Sequence, residues 1–469
     1  MKQSSLRVGW ALVPAAVLSL ALAGCAVGPN YERPAVESPA AFKEGQGEWV
    51  RAVPADTLER GPWWDLFSDP QLSELASQVE VSNQNVAAAV AGYAQARALV
   101  AQQRASLFPS VTLDAGANRS GGGGATPTRG NYQVSIGGSW EPDVWGRLSR
   151  GVEGATAGAQ ASLADLQAAT LSAQGELAVQ YFNLRQNDVQ YALLAQTIEG
   201  YQRTLTIASN RYKAGIAART DVLQAQTQLA NAQADQLGVE RQRAVLEHAI
   251  AVLTGKAPAN FSLPARATWQ AVVPDVPFGV PSTLLQRRPD IAGAERRAAQ
   301  ANDQIGIAEA AFFPSLSLSG SVGSSAAAIG DLFKASSLVW SLGASLAQTV
   351  FNAGATRARV EGAQAALEQA AARYRQTVLS AFQDVEDQLV ASRILQSQLV
   401  LREQAEQAAN LVEQQVLNRY QAGQVSYTEV VTAQVTALNA RRAVAQARSD
   451  RQVATVALIQ ALGGGWRGL

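Results

Sequence analysis

The sequence NRYKAG at residues 210–215 returns almost unchanged as NRYQAG at residues 418–423. With an offset of 208 residues the similarity continues beyond the turn, and the acid Asp221 is matched by the acid Glu429. A repeated hexapeptide followed by a matched acid is typical of a duplicated structural unit. The chain of 469 residues is therefore predicted to contain two copies of one unit in tandem.

The similarity also extends upstream of the repeated turns. The stretch LFPSVTLDAG at 107–116 resembles FFPSLSLSGS at 312–321. Before each stretch, apolar residues recur at every seventh position, a spacing that keeps one stripe against a partner helix. These residues are Leu72, Val79, Val86, Tyr93, Val100 and Leu107 in the first copy, and Leu284, Ile291, Ala298, Ile305 and Phe312 in the second. Each half is predicted to contain a helix, an extended region, a long helix, the NRYxAG turn and a return helix.

The helices before the two turns are predicted to be unusually long. No proline interrupts residues 143–257, and a continuous helix over 148–212 would be about 100 Å long at about 1.5 Å per residue. The residues at strict heptad spacing along it are Leu163, Thr170, Leu177, Leu184, Tyr191, Ile198, Leu205 and Tyr212. A similar run covers 355–420. Gly215 and Gly423 suit the left-handed conformation that ends helices, so each turn is predicted to close a long helical hairpin.

Four stretches between the helices alternate apolar and polar residues, which is typical of a sheet with one apolar face. They form two predicted β-hairpins, at about 108–141 and about 313–350. Each stretch is close to the roughly 9–11 residues that cross a bilayer as a tilted strand. Composition alone also allows a soluble four-stranded sheet.

The N-terminus favours a secreted protein. Lys2 and Arg7 precede an apolar stretch of small and aliphatic residues that ends in LAGC at 22–25. This pattern predicts a signal peptide over 1–24. LAGC resembles the bacterial lipobox, so we expect Cys25, the only cysteine, to carry covalent lipid.

Composition shifts divide the chain further. We expect a lipidated extended segment at 25–70, the first repeat at 71–255, a proline-rich equatorial linker at 256–283 and the second repeat at 284–462. A tail follows at 463–469, and the linker and tail are predicted to pack together around the long helices. The predicted fold class is mainly α with membrane β-strands.

Residues that carry chemistry are scarce. His248 is the only histidine, and the sequence shows no cluster of metal-ligand residues at the usual spacing. The net charge is zero, with no basic run that would indicate nucleic acid. We therefore expect no enzyme, no cofactor, no metal site and no nucleic-acid partner.

Several motifs together resemble one family. They are LAGC followed by GPNYERP, then PWWDLFSDPQL, the two FPS strands, SWEPDVWGR and both RYxAG turns. The combination resembles the TolC-like outer-membrane efflux channels, in the lipoprotein branch of OprM and CusC. The resemblance implies a homotrimer with one shared twelve-stranded β-barrel, four strands per chain, and a periplasmic α-helical barrel with an equatorial belt.

The resemblance also implies roles for the residues of the turns. The acids Asp221 and Glu429 would constrict the closed pore at its periplasmic tip. The other turn residues would hold the tip closed or meet an adaptor protein; these are Arg211, Tyr212, Gly215, Arg419, Tyr420 and Gly423. Some relatives carry a further acid where this chain has Thr432.

The implied function is that of a passive exit duct of a tripartite pump. The duct would lie in the outer membrane, anchored by lipid, and would bind a periplasmic adaptor and an inner-membrane transporter. The main alternative is a periplasm-spanning coiled-coil lipoprotein without a pore, and an enzyme is a distant third.

Replacing Cys25 with serine should abolish incorporation of a fatty-acid analogue into the chain, because the chain has no other thiol to accept the lipid. Metabolic labelling followed by gel electrophoresis would measure this loss, with an unrelated lipoprotein of the same cells as control. Label that persists on the serine variant would contradict the lipidation hypothesis.

Overall fold

The computed structural model describes residues 26–37, 39, 42–44, 62–121, 129–274 and 288–464. The helices within these ranges are α1 Pro70–Ser82, α2 Gln84–Ala105, α3 Arg147–Lys213, α4 Arg219–Leu253, α5 Pro289–Ala310, α6 Ala355–Gln421 and α7 Tyr427–Ala461. The strands are β1 Ser110–Ser120, β2 Arg129–Trp140, β3 Ser315–Ala326 and β4 Leu338–Ala347. The predicted signal peptide, Cys25 and residues 465–469 of the tail lie outside the described residues.

The described residues form two compact units, and each unit takes segments from both halves of the chain. The first lies within Met1–Ala35, Gly92–Leu163 and Gly293–Arg375, and contains the sheet. The second lies within Val36–Ala91, Ala164–Ala292 and Gln376–Leu469, and contains the main apolar core and both repeated turns.

The two halves have helices of equal length around their turns. Helices α3 and α6 have 67 residues each, and α4 and α7 have 35 residues each. The long helices predicted over 148–212 and 355–420 therefore have the predicted bounds to within one residue. No helix in the described ranges has both the length and the hydropathy required to cross a membrane.

The heptad pattern before the first hairpin was expected to be one helix, and this prediction is wrong. The chain breaks at Asn83, whose backbone is extended between α1 and α2. The Asn83 side-chain oxygen accepts hydrogen bonds from the backbone N–H groups of Asn85 (2.9 Å) and Val86 (3.2 Å), which caps α2. Its amide donates to the Leu253 carbonyl at 2.9 Å, a contact with the end of α4.

The sheet is antiparallel, in the order β1-β2-β3-β4, with a polar face and an apolar face. On the polar face, pairs of serine hydroxyl groups lie within hydrogen-bond distance across neighbouring strands. These pairs are Ser110–Ser139 at 2.8 Å, Ser317–Ser345 at 2.7 Å and Ser321–Ser341 at 2.9 Å. The opposite face exposes large apolar side chains, namely Val111, Leu113, Ile136, Val322, Trp340, Leu342 and Leu346. In the described part of the chain, β1 and β4 each have one edge without a partner strand.

The core of the second unit is aromatic and aliphatic. It includes Trp63, Phe67, Leu72, Val79, Leu177, Tyr181, Phe182, Leu184 and Ile250. The heptad stripe of α3 is fully buried at Leu177 and Leu184, but Tyr191 is 40% exposed. The central part of α3 therefore packs on the core, and the stripe is not covered along its whole length.

A buried ion pair ties the described part of the linker to this core. Arg185 and Asp188 of α3 are both buried and lie 2.7 Å apart. Arg185 donates to the Pro264 carbonyl at 2.9 Å, and the Arg266 backbone N–H donates to Asp188 at 3.0 Å. Arg243 of α4 donates to the second Asp188 oxygen at 2.7 Å. Since a buried carboxylate is stable only with such partners, the network fixes this segment against α3 and α4.

Candidate functional site

The two repeated turns have the same backbone structure. Gly215 and Gly423 follow their helices with φ of 74° and 76°, in the left-handed region. In the first turn, the N–H of Gly215 donates to the Tyr212 carbonyl at 2.9 Å. In the second, the N–H of Gly423 donates to the Tyr420 carbonyl at 3.0 Å. The glycines are needed because a side chain strains the backbone at this φ.

The two hairpins of one chain pack together beside the turns. An apolar cluster contains Ala208 and Ala225 from the first hairpin and Tyr420, Tyr427 and Val430 from the second. The rings of Tyr420 and Tyr427 meet edge to face with centroids 5.5 Å apart. Tyr420 and Tyr427 are each only 2% exposed. The small alanines allow the helices to approach closely, and the tyrosines fill the remaining space.

Arg211 joins the first turn to the second. Its guanidinium lies 4.9 Å from the centre of the Tyr420 ring, at the distance of a cation–π contact. It donates to the Tyr420 carbonyl at 2.8 Å and to the Gln421 carbonyl at 3.4 Å. These carbonyls belong to the last turn of α6, where the dipole favours a cation; the Tyr420 carbonyl also accepts from the Gly423 N–H. Arg211 therefore caps the helix of the other repeat.

The charges around Tyr420 affect its ionisation. Burial raises the pKa of Tyr420, the charge of Asp221 raises it further, and Arg211 lowers it. Burial also raises the pKa of Tyr427 to about 12. Both phenol groups therefore stay protonated at neutral pH.

The matching residues of the two turns have different surroundings. Tyr212 corresponds to Tyr420 but is 45% exposed. Arg419 corresponds to Arg211 but is exposed, and in the described part of the chain its guanidinium has no hydrogen bond or ion pair. Within one chain the structure brings together Arg211 and Tyr420 only. The roles expected for the turn residues at the tip stay predictions.

The two acids also differ. Each is the third residue of its return helix. Glu429 accepts a hydrogen bond from the Ser426 backbone N–H at 3.2 Å, and its carboxylate lies 3.3 Å from the Ser426 hydroxyl. This is a capping-box interaction that satisfies the start of α7. The first repeat has Ala218 in place of Ser426, and no hydrogen bond reaches the Asp221 carboxylate within the described residues.

The sequence also singled out Thr432 and His248. Thr432 donates its hydroxyl to the Thr428 carbonyl at 3.0 Å and adds no charge to the turn. His248 is exposed on α4. Among the described residues, no group of three or more His, Cys, Asp and Glu side chains is placed to hold a metal ion.

Comparison with known proteins gives a consistent result. The family model described as "Outer membrane efflux protein" matches residues 75–256 and 280–464. The chain belongs to this family. Both repeated turns and all of the sheet lie within the matched residues.

Individual relatives match over nearly their whole length. The cation efflux system protein CusC of Escherichia coli strain K12 is 29% identical over 452 residues, which cover 96% of this chain and 98% of CusC. The outer membrane protein OprJ of Pseudomonas aeruginosa is 30% identical over 463 residues, covering 97% of this chain and 96% of OprJ. The open-state structure of the Neisseria gonorrhoeae MtrE outer membrane channel matches with a TM-score of 0.84 and 30% identity, covering 94% of this chain and 98% of MtrE.

The family assigns the general function. The protein is the outer-membrane channel component of a tripartite efflux pump, and it acts in transport across the outer membrane. Its mainly helical fold with few strands is the fold of these channels. The expectations for family, function and localisation drawn from the sequence are confirmed.

Replacing Glu429 with alanine should loosen the start of α7, because the Ser426 backbone N–H loses its acceptor. We expect about fivefold faster amide hydrogen exchange in the first turn, corresponding to about 1 kcal/mol of lost capping. Glu429→Gln should exchange at the wild-type rate, since glutamine keeps the acceptor. Equal acceleration in both variants would instead assign the effect to the lost charge.

Proposed function

We propose that three copies of this chain close one duct through the outer membrane, with the six turns forming a gate at its periplasmic end. The observation that carries this proposal is the sheet, which combines open edges with an exposed apolar face. Lipid on Cys25 would add a second attachment to the membrane.

The sheet has the dimensions and polarity of a membrane wall. Its strands contain 10–12 residues, close to the roughly 9–11 that span a bilayer. Trp340 and Leu342 are 76% and 83% exposed, which is costly in water and favourable in lipid. The serine-rich face is suited to line an aqueous lumen.

The open edges require neighbours. Unpaired backbone groups are not tolerated in hydrocarbon, so β1 and β4 must each pair with another strand. Four strands cannot close by themselves, since single-chain barrels begin at about eight. Three chains with four strands each would supply twelve strands, with β4 of one chain beside β1 of the next.

The paired turns are suited to a gate because they combine packed aromatic residues with acids. In a trimer, Asp221 and Glu429 would face the entrance, and Arg211 and Tyr420 would keep the two hairpins of each chain together. An adaptor protein that leads from an inner-membrane transporter would meet the outer side of the turns. The alternative of a coiled-coil lipoprotein without a pore gives no role to the exposed apolar face of the sheet.

The number of chains per particle and the ion conductance of the particles test the proposed duct. Native mass spectrometry in detergent should show three chains per particle, and the same particles should conduct ions in a planar bilayer. A trimer that never conducts, including after its turns are destabilised by Arg211→Ala, would favour the scaffold alternative. A monomer that conducts would contradict the shared barrel.

Replacing Asp221 with asparagine should lower the cation preference of the channel more than Glu429→Gln does. No hydrogen bond reaches the Asp221 carboxylate within the described residues, whereas the charge of Glu429 is held at the start of its own helix. Reversal potentials in a gradient of dilute salt would measure the difference, because concentrated salt screens such charges. A larger effect of Glu429→Gln would show that the capping acid, and not Asp221, sets the preference.

A further inference from the structure

We propose that Arg419 of one chain packs on Tyr212 of the neighbouring chain, and so repeats between subunits the contact that Arg211 and Tyr420 make within one chain. The inference rests on the proposed trimer and adds to it the residues that join the chains at the gate.

The contact within the chain supplies the template. Arg211 lies over the Tyr420 ring at 4.9 Å and donates to the Tyr420 and Gln421 carbonyls at 2.8 and 3.4 Å. Adding or subtracting the repeat offset of 208 converts this set into Arg419, the Tyr212 ring, and the carbonyls of Tyr212 and Lys213. The duplicated turn therefore encodes the same contact twice.

One chain makes only the first of these two contacts. Arg419 is exposed, and its guanidinium has no hydrogen bond or ion pair in the described part of the chain. Tyr212 is 45% exposed. Within the described residues, no side-chain donor reaches the Tyr212 or Lys213 carbonyls, although the matching carbonyls of α6 receive Arg211. Each chain thus contains a guanidinium, that of Arg419, and a matching ring, that of Tyr212, which do not meet within that chain.

The direction of the contact allows a ring to close. Within a chain, the arginine of the first turn reaches the tyrosine of the second. The same rotation, applied once more, would bring Arg419 of the second turn to Tyr212 in the first turn of the following chain. Such a head-to-tail contact generates a closed ring when the rotation closes. Six arginine–tyrosine contacts would then surround the entrance, three within chains and three between them.

The contact between chains should be the weaker of the two kinds. Tyr420 is supported by the ring of Tyr427 at 5.5 Å. The residue that corresponds to Tyr427 is Arg219, which is exposed. Tyr212 therefore lacks the aromatic neighbour that buries Tyr420, and a second cation lies nearby in the sequence. When the gate opens, the chains should separate at Arg419 and Tyr212 while each chain keeps its own hairpins together.

Paired cysteines distinguish the two kinds of contact, and the repeat supplies the matched control. The full chain carrying Tyr212→Cys and Arg419→Cys, treated with a short bifunctional thiol reagent, should give covalent dimers and trimers on a denaturing gel. The full chain carrying Arg211→Cys and Tyr420→Cys should remain a monomer, because its link forms within one chain. Single-cysteine variants measure the background from Cys25.

Trimer formation and conductance of the same cysteine variants show whether a negative cross-linking result concerns this contact or the trimer itself. Trimers that conduct but give no covalent dimers from the Tyr212 and Arg419 cysteines would overturn this inference and leave the proposed duct intact. Loss of the trimer itself would instead overturn the proposed function. Arg419→Ala should also raise single-channel conductance, and adding Tyr212→Ala should raise it no further; additive increases would show that the two residues act separately.

Discussion

A helix of 67 residues depends on neighbours along its length, and this requirement governs the described structure. Helices in proteins are stabilised mainly by the packing of their side chains and less by their own backbone bonds. Each long helix of this chain turns back at a glycine with positive φ, so the return helix becomes its nearest partner. Away from the aromatic core, alanines such as Ala208 and Ala225 provide the close packing.

The ends of the long helices and the positions of the strands could be predicted because the sequence patterns that determine them are local. A glycine in the left-handed region ends a helix wherever it lies, so the ends of α3 and α6 were predicted to within one residue. The alternating strands were recognisable for the same reason, since alternation within one strand already defines its two faces. The family resemblance then depended on several such local motifs together.

The break at Asn83 and the different surroundings of Arg211 and Arg419 could not be predicted, for a different physical reason. The heptad pattern continues across Asn83, but the chain breaks there, and the Asn83 amide is held by the Leu253 carbonyl 170 residues away. The different surroundings of Arg211 and Arg419 were also not predicted, because both lie in nearly identical hexapeptides. Long-range contacts decide both cases. One difference between the repeats could have indicated the different surroundings: Tyr427 stands where the first repeat has Arg219. Its effect could not be interpreted without knowing which helices each turn contacts.

In the proposed trimer, duplication followed by small changes would give the gate two kinds of contact, one within each chain and one between chains. Within a chain, opening would expose Tyr420 and Tyr427, which are now 2% exposed, and exposing apolar surface costs about 25 cal/mol per Å². In the proposed contact between chains, the corresponding residues would be Tyr212, Arg219 and Arg419, which are exposed in one chain, so separation there would expose little new apolar surface. The hairpins of one chain should therefore move as a single body. The proposed duct would then widen as the chains separate at three positions, without unpacking the cluster that holds each chain's two turns together.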